Sequence, residues 1–260
     1  MRLNIGLDLG STAIKAVFVD GEIPIWHGIA ATAPGQEALA QRLIKEGCRD
    51  LGLADGLRFG LASTGYGRNL FQAADLKVDE ISANALGAFK SSSGAARIIL
   101  NIGGQDLKVL RLSETGQVVD FKMNDKCAAG TGRFFEAAAR ILDTPLQDFG
   151  PLSRLADEEV EINSTCVVFA ESEIVSLLAR GVKRENVIKA LNASVARRVV
   201  GLMGGRGYGA DELWLDGGPA QNEGLREALE DELMAEVRIL SEPQYTVAYG
   251  AALALTAGII

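Results

Sequence analysis

The chain has 260 residues, 26 basic against 34 acidic side chains for a net charge of −8, and 48% hydrophobic residues. It is too apolar to be disordered and long enough to bury a large core, and its acidic balance argues against general nucleic-acid binding, which needs a basic footprint. No stretch reaches the roughly 18 uninterrupted apolar residues of a membrane span. The N-terminus, Met1-Arg2-Leu3-Asn4-Ile5, enters a strand pattern without the layout of a signal peptide. A folded cytoplasmic α/β protein with neither nucleic acid nor membrane as partner is the expectation.

Taken in order, Leu3 to Leu9 and Ile14 to Val19 read as two strands around a Gly-rich turn, closed by Asp20-Gly21. Gln36 to Gly47 carries Leu39, Leu43 and Ile44 at near-helical spacing, with Gly47 as a stop. Ile81 to Phe89 is an Ala-rich helix, and Ser91-Ser-Ser-Gly94 is a small polar stretch suited to a linker. Ile98 to Ile102 and Leu107 to Leu112 form a second strand pair, followed by Glu114-Thr-Gly116. Helices are expected over Thr131 to Leu142, over Glu171 to Ala179 with Gly181 as a left-handed cap, and over Asn186 to Met203. The last of these aligns Val187, Leu191, Val195 and Val199, with Gly204-Gly205 behind. Glu212 to Asp216 reads as a strand, Gly217-Gly218 as a turn, and Leu225 to Val237 as a helix.

The two strand pairs repeat at an offset of 93 residues: Asp8-Leu-Gly10-Ser11-Thr12-Ala-Ile14-Lys15 against Asn101-Ile-Gly103-Gly104-Gln105-Asp106-Leu107-Lys108. Strands followed by helices, twice over, imply two related α/β lobes with a ligand cleft between them. The first lobe is placed at 1–93 and the second at 94–242, with 243–260 expected to return to the first. Gly10, Ser11 and Thr12 offer N–H groups and hydroxyls to a phosphate, and Lys15 adds a compact positive charge. Gly103 and Gly104 offer the same in the second lobe. Asp8 and Asp106 would meet phosphate through Mg²⁺ and its waters, because magnesium takes carboxylate and phosphate oxygens together. A Walker A loop, GxxxxGK[ST], is absent. A third Gly-rich turn, Leu215-Asp-Gly217-Gly218-Pro-Ala-Gln-Asn222, follows a strand and lets a ring or ribose approach the backbone.

These three turns look like the phosphate 1, phosphate 2 and adenosine elements of actin, sugar kinases and chaperone ATPases. More narrowly, Asn101 to Lys108, Asn124-Asp-Lys-Cys-Ala-Ala-Gly-Thr-Gly-Arg133 and Ser164-Thr-Cys-Val-Val-Phe-Ala-Glu-Ser-Glu173 are similar to the ATP-dependent activators of 2-hydroxyacyl-CoA dehydratases, a family that includes ATPase subunits of benzoyl-CoA reductase. The likeness runs through Pro243-Gln-Tyr245 and Ala248-Tyr-Gly250-Ala-Ala. It implies an actin-like (ribonuclease H-like) ATPase fold with two duplicated lobes around a nucleotide cleft. The implied activity is ATP-gated transfer of one electron from ferredoxin or flavodoxin to a dehydratase-like acceptor. Asp8, Gly10, Ser11, Thr12, Lys15, Gly103, Gly104 and Asp106 would hold Mg²⁺ and the phosphates of ATP or ADP, and Gly217, Gly218 and Asn222 the adenosine. Gln105 or Asp106 would orient the attacking water.

The cysteines are Cys48, Cys127 and Cys166, an odd count without a CxxC pair, which on spacing alone reads as three inert buried thiols. The resemblance reassigns two of them: a homodimer of this family holds one oxygen-sensitive 4Fe–4S cluster through two cysteines per chain, the roles of Cys127 and Cys166. Four thiolates is the number such a cluster takes. Both precede expected helix N-termini, where N–H groups and the dipole favour anions. Cys48 keeps its inert reading.

Lys126 and Arg133 flank Cys127 and could tune a cluster or remain solvated, while Glu171 and Glu173 read as helix N-terminal charges. Trp26 and Trp214 are expected to pack in their lobes. His27, the single histidine, suits a turn or surface rather than catalysis. Two positions depart from the family: Asn101 stands where Asp is usual, and Asn84 where histidine is frequent. Two other readings remain, a sugar-type kinase on the same fold and a regulator that binds nucleotide without hydrolysing it.

Overall fold

Two antiparallel hairpins organise the chain, one in each repeat. The computed structural model describes residues 3–54, 57–124, 128, 130–163, 166–204 and 212–257. In the first repeat, β1 (Leu3–Leu9) pairs with β2 (Ala13–Asp20) so that Asp8 lies opposite Lys15. β3 (Ile23–Ala31) joins the outer side of β2, while β4 (Gly60–Thr64) runs parallel to β1 with β5 (Leu76–Lys77) beyond it. The second repeat copies this plan. β6 (Ile98–Ile102) pairs with β7 (Leu107–Leu112), β8 (Val118–Asn124) lies outside β7, and β9 (Leu213–Asp216) and β10 (Val237–Ile239) continue in parallel from β6. The strand orders β3-β2-β1-β4-β5 and β8-β7-β6-β9-β10 are therefore the same.

The chain divides into two compact units, one of residues 1–96, 112–119 and 244–260 and the other of 97–111 and 120–243. In the first, every residue of β1 is buried, which requires cover on both faces of the sheet. α1 (Gln36–Asp50) packs Ala40 and Leu43 against Ile5, Leu7, Ile14 and Phe18 on one side. On the other, α2 (Glu80–Ser91), capped by the Asp79 side chain on the Ser82 N–H, packs with α8 (Thr246–Ala257). The approach there is close: an added Cβ at Gly250 falls 1.7 Å from the Ala83 carbonyl oxygen, and one at Gly6 falls 1.9 Å from that of Ala248. Backbone cannot yield as a side chain does, so Gly250→Ala is expected to cost about 3 kcal/mol in urea denaturation.

In the second unit, one apolar cluster is built from Ile98, Leu100 and Ile102 of β6 with five helices. These are α3 (Gly132–Ile141), α4 (Phe149–Ser153), α5 (Val167–Ala179), α6 (Arg184–Met203) and α7 (Glu223–Leu233). α6 turns the expected stripe Val187, Leu191, Val195 and Val199 into the core and ends at Gly204 with φ 86°. Among the described residues no helix is long and apolar enough to cross a membrane.

Three helix boundaries differ from the sequence reading. α1 runs through Gly47, expected as its stop, to Asp50, because Gly47 is buried inside the helix where a Cβ would strike the Phe18 ring at 2.6 Å. α5 starts at Val167 rather than Glu171, a turn earlier, because Val167, Val168, Phe169 and Ala170 extend the helical run back to Cys166. α7 stops at Leu233, where Met234 adopts φ 55°, and Val237 enters β10 instead of ending the helix. Val237 is buried and faces Leu213 in the β9 register, a place suited to a β-branched side chain.

Candidate functional site

In the first hairpin, the cross-strand register delivers Lys15 Nζ to Asp8 Oδ2 at 2.8 Å, with the two side chains 19% and 6% exposed. β4 places Thr64 on the other side of Asp8, so Lys15, Asp8 and Thr64 form a row across three strands. Gly10 sits against this pair, since a Cβ there would lie 3.4 Å from Lys15 Nζ and 3.6 Å from Asp8 Oδ1. Gly65, at φ +83°, is tighter still: its Cβ would come within 2.5 Å of Asp8 Oδ1. The Thr32 hydroxyl donates to the Gly10 carbonyl at 2.8 Å and pins the turn. The Thr12 and Thr64 hydroxyls are buried without a hydrogen-bond partner, a costly state that a phosphate oxygen or a metal-bound water would relieve.

The second hairpin carries an Asp–Lys pair at greater depth and in another arrangement: Lys108 lies opposite Asn101 in the register and pairs with Asp106, two residues before it. Lys108 Nζ meets Asp106 Oδ1 at 2.6 Å, and both side chains are almost fully buried, at 2% and 5% exposure. Gly103 donates its N–H to the Asp106 carbonyl at 2.9 Å, and a Cβ on Gly103 would fall 2.3 Å from Asp106 Oδ1. The turn is braced by α3, whose Gly132 and Arg133 N–H groups donate to the Gly103 and Gly104 carbonyls at 2.8 and 3.0 Å. With its amide oriented to accept, Gln105 Oε1 lies 2.9 to 3.2 Å from the three guanidinium nitrogens of Arg133. Arg133 thus has a defined role beside the turn, which its position next to Cys127 did not reveal.

Asn101, the departure from the family pattern, donates through Nδ2 to Asp216 Oδ1 at 2.8 Å in a fully buried contact. The parallel β6–β9 register makes these two positions neighbours. A carboxylate at 101 would face a second carboxylate at hydrogen-bond distance. Without Mg²⁺, Asn101→Asp is expected to lower stability at pH 7 by about 1–3 kcal/mol. One shared proton restores the hydrogen bond, so a carboxyl of the variant pair has a raised pKa in the fold. The loss therefore shrinks as pH falls toward about 5 and grows as pH rises through that pKa. Thermal melts of both proteins in chelator across this range check it.

The third turn separates into two kinds of residue. Gly217 has φ 94°, and its Cβ would strike the Ile102 carbonyl at 2.1 Å, so only glycine lets β9 leave the sheet here. Gly218 has open space around its Cβ position. Asn222 is fully buried: its Oδ1 accepts from the Gly224 N–H at 3.0 Å and its Nδ2 donates to Asn192 Oδ1 at 2.8 Å. Its side chain is committed to starting α7 and tying it to α6.

Cys166 is the N-cap of α5, a free thiol that is partly exposed and makes no side-chain cap hydrogen bond. Lys126 and Cys127 lie outside the described residues. Cys48, on α1, packs at the edge of the first core. Among the described residues no group of three or more His, Cys, Asp or Glu is placed to hold a metal ion. Beyond Cys166 the outward face of α5 is apolar, with Val168, Phe169 and Val175 65%, 69% and 53% exposed. The unbroken Val167-Val168-Phe169 run was the signal for this face. Of the remaining side chains, Glu173 accepts the Asn163 N–H, Trp26 packs on Phe18, Trp214 lies under the Arg238 guanidinium, and exposed His27 stacks on Tyr245.

A duplicated five-stranded sheet of this strand order, with a Gly-rich turn after the first strand of each copy, is the plan of the actin-like ATPases. Within that class the chain belongs to the BadF/BadG/BcrA/BcrD ATPase family, whose model matches residues 5–254. It is 41% identical over 250 residues to the activator of lactoyl-CoA dehydratase of Anaerotignum propionicum, covering 96% of this chain and 95% of that protein. It is 40% identical over 252 residues to the (R)-2-hydroxyglutaryl-CoA dehydratase activating ATPase of Acidaminococcus fermentans, again covering 96% and 95%. A solved structure of the activator of the 2-hydroxyisocaproyl-CoA dehydratase from Clostridium difficile, with bound ADPNP, superposes with a TM-score of 0.92 at 37% identity, covering 99% of this chain and 95% of that one.

Proposed function

We propose that this chain is an ATP-hydrolysing activator that passes single electrons to a 2-hydroxyacyl-CoA dehydratase or a related acyl-CoA-reducing enzyme. The reading is carried by the repeated Gly-rich turns, each with a buried or part-buried Asp–Lys pair beside it, in a chain that belongs to an ATPase family. The orphaned Thr12 and Thr64 hydroxyls suit a Mg²⁺-polyphosphate. Gly10, Ser11, Thr12, Lys15, Gly103 and Gly104 bind phosphate through N–H, hydroxyl and ammonium groups. Asp8 and Asp106 would hold hydrated Mg²⁺, which would supply charge neutralisation at the phosphates. Gln105, oriented by Arg133, and Asp106 position the attacking water. Gly217 and Gly218 let adenosine approach the backbone, and Asn222 supports them by fixing α7.

For the redox half, Cys166 and Cys127 from each of two identical chains supply the four thiolates of one 4Fe–4S cluster. Cys166 suits this role as a partly exposed thiol at a helix N-terminus, and the uncharged outer face of α5 suits burial against a second copy. When bound, the cluster would carry one low-potential electron from ferredoxin or flavodoxin to the acceptor. Each 59 mV uphill costs about 1.4 kcal/mol, so a lift of several hundred millivolts is within the reach of nucleotide hydrolysis.

The test is anaerobic purification with iron and sulfide assays, sedimentation, and Mg·ATP-dependent reduction of an added dehydratase. About four irons per two chains and ATP-dependent reduction are expected. Phosphate transferred to an added sugar would move the reading to a kinase, and nucleotide bound but never hydrolysed would move it to a regulator.

A further inference from the structure

The turn assigned to phosphate and the loop leading to Cys127 share one buried side chain. Thr131 occupies the N-cap of α3, where a threonine oxygen ordinarily accepts an N–H of the first turn. Here it makes no such cap bond. Its hydroxyl instead points to two carbonyls, that of Gly104 in the phosphate turn at 3.0 Å and that of Ala128 in the cysteine loop at 2.6 Å. Thr131 itself is fully buried, while Gly104 and Ala128 are partly exposed. The Thr131 N–H also donates to Ala128, at 3.1 Å, while Gly132 and Arg133 hold the Gly103 and Gly104 carbonyls. Arg133 adds the contact to Gln105. On the loop side, Gly130 at φ +91° rests on the aliphatic stem of Arg198, which lies over the Phe134 ring of α3. The Gly103-Gly104-Gln105 turn therefore cannot move without changing hydrogen bonds to residues 131–133, and one hydroxyl relays the change to residue 128, next to Cys127.

We infer that Thr131, supported by Arg133, is a positioning residue through which the phosphate turn sets the backbone at Ala128, one residue after Cys127 in the sequence. The route lies wholly within the second unit. It rests on the function proposed above, with phosphate at Gly103-Gly104 and iron at Cys127.

The experiment compares wild-type, Thr131→Val, Thr131→Ser and Arg133→Met proteins, purified with their iron under anaerobic conditions, with and without Mg·ADPNP. Two quantities are read: ADPNP affinity, and the rate at which an iron chelator extracts the iron. In wild type and Thr131→Ser, Mg·ADPNP should change the extraction rate by at least about fivefold. Thr131→Val should bind ADPNP within about twofold of wild type yet lose most of that response, because valine keeps the shape and deletes the single hydroxyl proton that the two carbonyls share. Arg133 is exposed, so Arg133→Met leaves the core intact and should show a reduced response. A Thr131→Val protein that responds as wild type does, or a Thr131→Ser protein that does not recover, overturns the inference. If Thr131→Val fails to fold, an unreduced response in Arg133→Met overturns it. Wild-type protein that lacks iron or does not bind ADPNP defeats the proposed function and the inference together; a responsive wild type with an equally responsive valine variant defeats the inference alone.

Discussion

Asp106→Asn should lower the free energy of unfolding by about 3–5 kcal/mol, while Asp8→Asn should cost about 1 kcal/mol. The two lysines hold equivalent places in the repeat, Lys15 opposite Asp8 and Lys108 opposite Asn101, whereas Asp8 precedes its turn and Asp106 follows its own; the lysines do not share an environment. Lys108 is 2% exposed and Asp106 5%, so removing the carboxylate takes the charged partner from an ammonium group in the core. Lys15 retains 19% exposure and can turn toward water when Asp8 is neutralised. Breaking a buried pair from one side is costly, whereas replacing both members with apolar groups is often neutral. An Asp106→Leu, Lys108→Met double variant should therefore recover much of the loss. Urea denaturation of the three variants measures this, and equal losses from Asp8→Asn and Asp106→Asn would show that depth is not the controlling factor. The same asymmetry makes Asp8→Asn the cleaner probe of chemistry: it should stay folded while Mg·ATP hydrolysis falls about 10²-fold.

Cys166→Ser should abolish iron binding without weakening the fold. The thiol makes no cap hydrogen bond to α5, and serine is a better N-cap than cysteine, so stability should stay level or rise by up to about 1 kcal/mol. Iron should drop from about four per two chains to near zero, because serine does not supply the thiolate that the cluster takes. Cys48→Ser, on α1 at the edge of the first core, should retain its iron. Iron and sulfide analysis beside thermal melts separates ligand loss from unfolding. Full iron in Cys166→Ser would remove this residue from the cluster.

Much of this architecture could be read from residue order because it depends on near neighbours in the chain. A Gly-rich turn between two apolar runs closes a hairpin wherever it occurs, so the Asp8–Lys15 pairing follows from seven residues of local sequence. The recurrence of the turn 93 residues later forecast two related hairpins, while the matching five-stranded orders around them appeared only in the fold. Helix starts and stops were less legible where the signal was ambiguous: Val167 to Phe169 suits a strand as well as a helix, and Met234 in a left-handed conformation has no glycine to announce it.

The chain alone thus established the duplication, the hairpin turns and the stripes that become cores, since each is a short-range pattern of turn residues and apolar spacing. What required folding was every contact between distant segments. Asn101 meets Asp216 across 115 positions, Asn222 meets Asn192 rather than open space, and Thr131 reaches Gly104 only because α3 docks on the second hairpin. The depth of Lys108 relative to Lys15 belongs to the same category, because burial depends on what the helices of each unit lay over the sheet. A side chain's hydrogen-bond partner and its distance from water are properties of packing, and residue order constrains them only through the fold.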